Sequence, residues 1–300
     1  MSFAGGKPMH CISFDVEEHF QVSAFWSEAR RQQWDKYESR VENSTRKLVE
    51  LLDRHDTKAT FFVLGWVAER YPDLVKALAK QGHELASHGY GHELVTTQSP
   101  EQFRHDIRKA KYILEDLTGS PVLGYRAPSF SITAVSQCAL SILVEEGYRY
   151  DSSMYDRFQR SENARTSNGI VQIDTAAGRI WEIPPSTLNV WGFQVPVAGG
   201  GYFRLLPYAA SKTLLQRLEE QGAKLVMYLH PWEIDPDQPR MDGPWLSQFR
   251  HYLNLHKMEK RLIALLGDFR FGSIADVFGS LWCKEHEMSA MADWGQPGGS

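Results

Sequence analysis

Glu84-Leu85-Ala86-Ser87-His88-Gly89-Tyr90-Gly91-His92 reads as a short strand, Glu84 to Ala86, that runs directly into two imidazoles. Imidazole is the commonest side-chain metal ligand, and it binds as the neutral base available near pH 7. His88 and His92 stand four residues apart with a glycine beside each, which favours a loop or a first turn. Both rings can still converge there on one ion. His83-Glu84 just upstream is a decoy. A zincin helix needs its histidines at i and i+4, and His88 is five residues from His83, which rotates it off that face. Taken alone, the pair reads equally well as two solvated loop histidines. The other strand ends decide the matter.

Working outward, the same pattern of strand followed by chemistry recurs. Met9 to Phe14 reads as a buried strand leading into Asp15-Val16-Glu17-Glu18. Val122 to Tyr125 leads into Arg126, Tyr148 to Asp151 into Ser152-Ser153, and Lys224 to Leu229 into His230. Lys58 to Leu64 and Phe269 to Ile274 are further strands. Helices fall between them. One is capped near Asn43-Ser44-Thr45 and runs to Arg54; another runs from Tyr71-Pro72-Asp73 to Gln81-Gly82. Ser99-Pro100-Glu101 opens a helix stopped by Gly119; Thr133 to Glu146, Leu206 to Gln221 and Ser247 to Leu266 complete the set. Such alternation predicts an α/β fold, with helices covering a parallel sheet that is either a barrel or open. Asp15, His88, Arg126, Asp151 and His230 all follow strands, as residues on the C-terminal rim of a barrel do.

The chain is expected to form one domain over 1–300, with its core at about 9–283, an irregular insertion at about 155–205 and a loosely held tail at 284–300. A net charge of −4 and the lack of a dense Lys/Arg run give no reason to expect nucleic acid as a partner. No run of about 18 apolar residues predicts a transmembrane segment. Cys11, Cys138 and Cys283 are too few and too scattered for a disulfide framework. With no signal-peptide pattern at the start of the sequence, the expected setting is cytoplasmic. Nine Trp and twelve Tyr exceed what a core needs, and flat aromatic faces suit carbohydrate; most of these residues are still expected to be packing.

Each remaining segment also has a bland reading beside a chemical one. Alternation along a strand puts Asp15 and Glu17 on one side and Val16 on the other. Two carboxylates on one side can divide the labour, one completing a metal site and the other free as a base; the bland reading is an exposed acidic strand end. Arg126 either clamps a buried carboxylate through two parallel hydrogen bonds or sits on the surface. His230, before Pro231, is either a titrating acid or a capped core histidine.

With those residues in view, the sequence resembles the polysaccharide deacetylase family, also called carbohydrate esterase family four. Five ordered motifs carry the resemblance: Ser13-Phe14-Asp15-Val16-Glu17, His88 to His92, Arg126-Ala127-Pro128-Ser129-Phe130, Tyr150-Asp151-Ser152-Ser153, and Leu229-His230-Pro231. Gly199-Gly200-Gly201-Tyr202-Phe203-Arg204 and His230-Pro231-Trp232-Glu233-Ile234-Asp235 resemble a subgroup linked to bacterial exopolysaccharide loci. The resemblance implies a distorted (β/α) barrel of about seven parallel strands. It implies Asp15 as catalytic base, Arg126 as its clamp, His230 as general acid and Asp151 as the residue orienting that acid. His88 and His92 match the metal ligands. The family's usual second aspartate is replaced by Val16, which cannot coordinate, so the third ligand falls to Glu17 or Glu18, and alternation favours Glu17. Such a site suits Zn²⁺ and also accepts Co²⁺ or Ni²⁺.

The expected reaction is hydrolysis of N-acetyl groups on amino sugars of a bacterial polysaccharide or its precursor. A backbone N–H near Tyr155 is a candidate oxyanion donor, and Trp191, Tyr202, Phe203 and Trp232 are candidate sugar-stacking residues. Two alternatives remain: an amidohydrolase of small cyclic amides or formyl groups on the same fold, and a catalytically silent glycan-binding or assembly protein, which Val16 motivates.

Overall fold

β1 (Met9–Val16) is buried along its whole length except at Met9, the pattern of a strand covered on both faces. It pairs with three other strands of the main sheet in a computed structural model that describes residues 8–25, 27–154, 169–190 and 193–283. The other strands are β2 (Thr60–Val63), β3 (Glu84–Ser87), β4 (Gly124–Tyr125), β5 (Tyr150–Asp151), β6 (Val171–Thr175), β7 (Gly178–Glu182), β8 (Thr187–Val190), β9 (Phe193–Pro196), β10 (Val226–Leu229) and β11 (Arg270–Gly272).

Seven of them follow one another in parallel, in the order β10-β1-β2-β3-β4-β5-β7. β6 adds antiparallel to β7, and β11 pairs with the start of β1. The chain leaving β7 brings the two ends of the sheet together. Ser186 N–H donates to Val226 O at 3.1 Å, and Tyr228 N–H donates to Ala198 O at 3.0 Å. The result is the distorted α/β barrel that the family resemblance implied, sealed in part by irregular chain instead of a full strand. Helices pack outside, and Leu48, Val67, Ile107 and Leu262 join Phe14 and Phe61 in one buried core.

Local signals set several helix ends. Ser99 and Gln102 form a reciprocal capping box on Pro100–Thr118, which Gly119 ends at φ 66°. Two helices depart from the sequence pattern. The helix predicted from Asn43-Ser44-Thr45 starts instead at Val41, with Ser44 and Thr45 buried inside it. Its cap comes from far along the chain: Glu18 Oε2 accepts the N–H groups of Arg40 (3.0 Å) and Val41 (3.2 Å), and Ser39 Oγ donates to Oε1. The continuous helix expected over Ser247–Leu266 is broken into Trp245–Tyr252 and Leu255–Asp268. Asn254 adopts a left-handed φ of 55° at the break. Arg204 Nη1 takes up the carbonyls released there, at 3.1 Å from Arg250 O and 3.2 Å from Leu253 O, with His251 O also bound.

The segment expected to be an irregular insertion is strand-rich where it is described. β7 belongs to the main sheet, with Ile180 and Glu182 buried. The tail at 284–300 lies outside the described residues. Because Glu18 satisfies two helix-terminal donors, Glu18→Ala is expected to lower stability by about 1–2 kcal/mol, read as a lower urea midpoint with unchanged slope.

Candidate active site

Ser13, Asp15 and Glu17 project to one side at the end of β1, as a period of two requires. All three are buried. Asp15 Oδ1 accepts a hydrogen bond from Arg126 Nη1 at 2.7 Å. The Arg126 guanidinium is fully buried, and its other hydrogen bonds go to Ser13 Oγ (2.9 Å), Ser152 Oγ (2.8 Å) and Ser152 O (3.1 Å). It also lies 4.0 Å from the centroid of the Phe62 ring. With Oδ1 committed, Asp15 Oδ2 faces His230 Nε2 at 3.9 Å.

The histidine loop is built as closely. His88 follows β3, and its Nδ1 donates to Arg126 O at 2.7 Å, which leaves Nε2 as the free nitrogen. Asp106 accepts the N–H groups of Tyr90 (2.8 Å) and Gly91 (3.1 Å), shaping the turn between the rings. Gly89 has φ 75°, and a Cβ there would meet Asp106 Oδ2 at 2.6 Å, so the residue must be glycine. His92 itself takes a left-handed φ of 51°.

Glu17 Oε2 lies 2.6 Å from His92 Nε2 and 4.0 Å from His88 Nε2. One donor atom from each of Glu17, His88 and His92 falls within 4.8 Å of the others. Glu17 Oε2 is buried with only the two imidazole nitrogens as close polar neighbours, while Trp232 Nε1 donates to Oε1 at 3.2 Å. A buried carboxylate oxygen converging with two imidazole nitrogens fits a divalent cation. Protonation states fit as well. Burial holds His88 down to about 4, so its imidazole is neutral. Burial would raise Glu17, but the charge and hydrogen bond of His92 and the charge of His230 outweigh it and hold the carboxyl down to about 2. Glu18 is spent on its helix cap, so alternation picked the residue that faces the histidines.

His230 follows β10. Its Nδ1 lies 2.8 Å from Glu233 Oε1, which also accepts the His230 backbone N–H at 3.0 Å. Its Nε2 is 3.7 Å from Glu17 Oε1. Burial pushes His230 down, yet the Glu233 hydrogen bond and the charges of Glu17, Glu233 and Asp15 prevail and raise it to about 9. The expectation that Asp151 orients this ring is corrected here. Asp151 accepts from Ser153 Oγ and neighbours Glu182, and burial pushes both carboxyls up, Asp151 to about 6. Glu233 occupies the orienting position because it lies three residues after His230 in the turn opened by Pro231.

The aromatic candidates separate. Trp232 is buried and stacks between His230 (5.0 Å) and His251 (4.2 Å), a wall of the site more than an open platform. Phe203 is fully buried in the main core, whereas Tyr202 is exposed. Tyr155 and Trp191 lie outside the described residues. Sequence reasoning missed Asp106, Arg204 and Glu233. Only Glu233 left a local signal, an acid at the third position of a turn begun by proline.

Residues 33–150 match the family model described as polysaccharide deacetylase, and residues 155–279 match one described as a domain of unknown function (DUF3473). The chain is 36% identical over 110 residues to the peptidoglycan deacetylase-like protein FGM2 of Gibberella zeae, a match over 36% of this chain and 32% of that protein. It is 39% identical over 75 residues to a peptidoglycan-N-acetylglucosamine deacetylase of Bacillus cereus, covering 25% of this chain and 27% of that one. The chain thus spans about a third of the length of the curated relatives it matches. A solved structure from Mycobacterium smegmatis, a candidate polysaccharide deacetylase, superposes with a TM-score of 0.61 at 19% identity, over 95% of this chain and 94% of that one; it shares the fold.

If Glu17 completes the metal site, Glu17→Ala should weaken Zn²⁺ affinity by more than about 100-fold, beyond the loss typical of outer-shell partners. Glu18→Ala should leave it unchanged, with calorimetric titration reading both.

Proposed function

We propose that this protein, whose residues 33–150 match the polysaccharide deacetylase family model, is a metal-dependent hydrolase that removes N-acetyl groups from amino sugars of a polysaccharide or its precursor. One observation carries the reading. The Glu17, His88 and His92 donor set lies beside a carboxylate, Asp15, that Arg126 holds by one oxygen, and beside His230, whose Nε2 is 3.9 Å from the other.

A divalent ion held by Glu17, His88 and His92 would supply a Lewis acid that polarises the acetyl carbonyl and acidifies nearby water. Asp15 Oδ2 is the free oxygen of the base, positioned to take a proton from water as that water adds to the carbonyl carbon. Arg126 fixes the other oxygen, so the base does not turn away. The C–N bond then breaks, its electron pair going to nitrogen, and the nitrogen receives the proton on His230 Nε2. An amide nitrogen leaves poorly unless protonated, so the acid is essential. Acetic acid and the free amine result, which pass to acetate and ammonium by one proton transfer, and the proton gained by Asp15 balances the one given by His230.

Two further points support an active protein. Val16, the residue that motivated a silent reading, is buried in the core, and Glu17 faces the histidines in its place. The curated relatives' own names include peptidoglycan-N-acetylglucosamine deacetylase, which favours an N-acetylated glycan over a small cyclic amide as substrate.

The test is acetate release from N-acetylglucosamine oligomers by the Zn²⁺- or Co²⁺-loaded protein, with cyclic imides as the competing substrate. Asp15→Asn should cut turnover by about 100-fold or more, the usual worth of a general base, while bound metal stays stoichiometric. Turnover of imides but not oligomers, or full activity in Asp15→Asn, would overturn the assignment.

A further inference from the structure

We infer that Arg204 and Glu233 form a positioning clamp for His230, so that the stretch matching a domain of unknown function supplies the acid half of the active site. The inference rests on the deacetylase reading and adds residues that reading does not need.

Three observations build the clamp. Glu233 Oε1 receives His230 Nδ1 at 2.8 Å, while Arg204 Nε donates to Glu233 Oε2 at 2.8 Å. Both Glu233 and Arg204 are buried, so neither charge is shared with bulk water. The space for the carboxylate is made by a glycine: a Cβ on Gly200 would lie 2.0 Å from Glu233 Oε1. Gly200 and Arg204 stand one turn apart in the helix Gly200–Leu205, so this helix provides both the cradle and the counter-charge.

The guanidinium is itself fixed. Its Nη1 reaches the carbonyls of Arg250 and Leu253 in the broken helix pair, and Asn254 Nδ2 donates back to Arg204 O at 2.8 Å. Trp232 stacks on the His230 ring and limits its rotation. With Nδ1 tied to Glu233, Nε2 is directed toward Asp15 Oδ2 (3.9 Å) and Glu17 Oε1 (3.7 Å), where the leaving nitrogen must be met. Arg204, His230, Trp232 and Glu233 all lie within residues 155–279. Asp15 and Glu17 come from β1, and His88, His92 and Arg126 from the deacetylase match. The division is chemical as well as sequential: one part holds the metal ligands and the base, and the other holds the acid.

An acid matters in proportion to how poor the leaving group is. The test therefore compares N-acetylglucosamine oligomers, whose amine needs a proton, with nitrophenyl acetate, whose phenolate does not. Both substrates are given to metal-loaded wild type, Glu233→Gln, and the Glu233→Gln/Arg204→Met double variant, which removes the buried charge left behind if the single variant fails to fold. Amide turnover should fall about 100-fold in kcat and ester turnover by less than about threefold, with metal content unchanged. A second readout needs no activity. In protein labelled with ¹⁵N-histidine, the His230 Nδ1–H resonance should shift in Glu233→Gln while that of His88, tied to Arg126 O, stays in place. Equal losses on both substrates, or no loss on the amide, would overturn the positioning role. An unmoved His230 resonance would overturn the clamp itself. Wild type that releases no acetate from oligomers yet shows the resonance shift would remove the deacetylase reading and the catalytic consequence, and leave the clamp standing.

Discussion

A guanidinium buried at the rim of the barrel needs a partner at each of its nitrogens, and Arg126 meets that constraint in a set of contacts that joins four strands. It reaches Asp15 and Ser13 on β1 and Ser152 after β5, and Ser13 Oγ passes the contact on to Met227 O of β10 at 2.9 Å. Its own backbone N–H pairs with Ser87 O of β3 at 2.9 Å, and its carbonyl holds His88 Nδ1. Asp15, the proposed base, and His88, a proposed metal ligand, are therefore positioned by opposite ends of one residue. Removing one partner of such a buried pair typically costs about 3–5 kcal/mol, because the other charge is left without water or counter-ion. The strand register around the site is pinned by this requirement as firmly as by packing.

Buried charge also explains what the sequence made legible. Strand ends could be read because apolar runs of four to eight residues stop abruptly at polar chemistry, and Asp15 with Glu17 could be separated from Val16 because the strand period is two. The capping box at Ser99 and the stop at Gly119 are local chemistry, visible within five residues of the chain. The failures share a different cause. Glu18 caps a helix that starts more than twenty residues later, and Arg204 breaks a helix by taking carbonyls almost fifty residues away. No periodicity records such partners. Asp151 was misassigned for the same reason: its motif position was readable, but the carboxylate that touches His230 is chosen by the turn after Pro231.

The same burial drives the ionisable groups of the site in different directions, and the neighbours decide which. His88 lies deep enough that desolvation wins and the ring stays neutral, as a ligand must be. Glu17 is equally deep, yet the charge and hydrogen bond of His92 and the charge of His230 keep it ionised. His230 has carboxylates around it and stays protonated up to about 9. A cation bound beside Glu17 would cancel part of that field, so the Glu233 contact, on the far nitrogen from the metal site, is the part of the stabilisation that survives metal binding.

Glutamate in place of the aspartate usual in the family that the sequence resembles raises a geometric problem, since the extra methylene adds a rotatable bond to a proposed ligand that must be still. Trp232 removes that freedom. Its Nε1–H holds Oε1 at 3.2 Å and leaves Oε2 as the only oxygen turned to the histidines. The indole is in turn clamped between the His230 and His251 rings, and His251 Nε2 is fixed to Gln238 Oε1 at 2.8 Å. Glu17 and Trp232 are thus one device split between the two ends of the barrel's sequence: a longer ligand on β1 is usable because the loop after β10 carries a donor that sets its angle. A shorter carboxylate at position 17 would lose the Trp232 contact, and an aspartate at position 16 would point into the core where Val16 now packs.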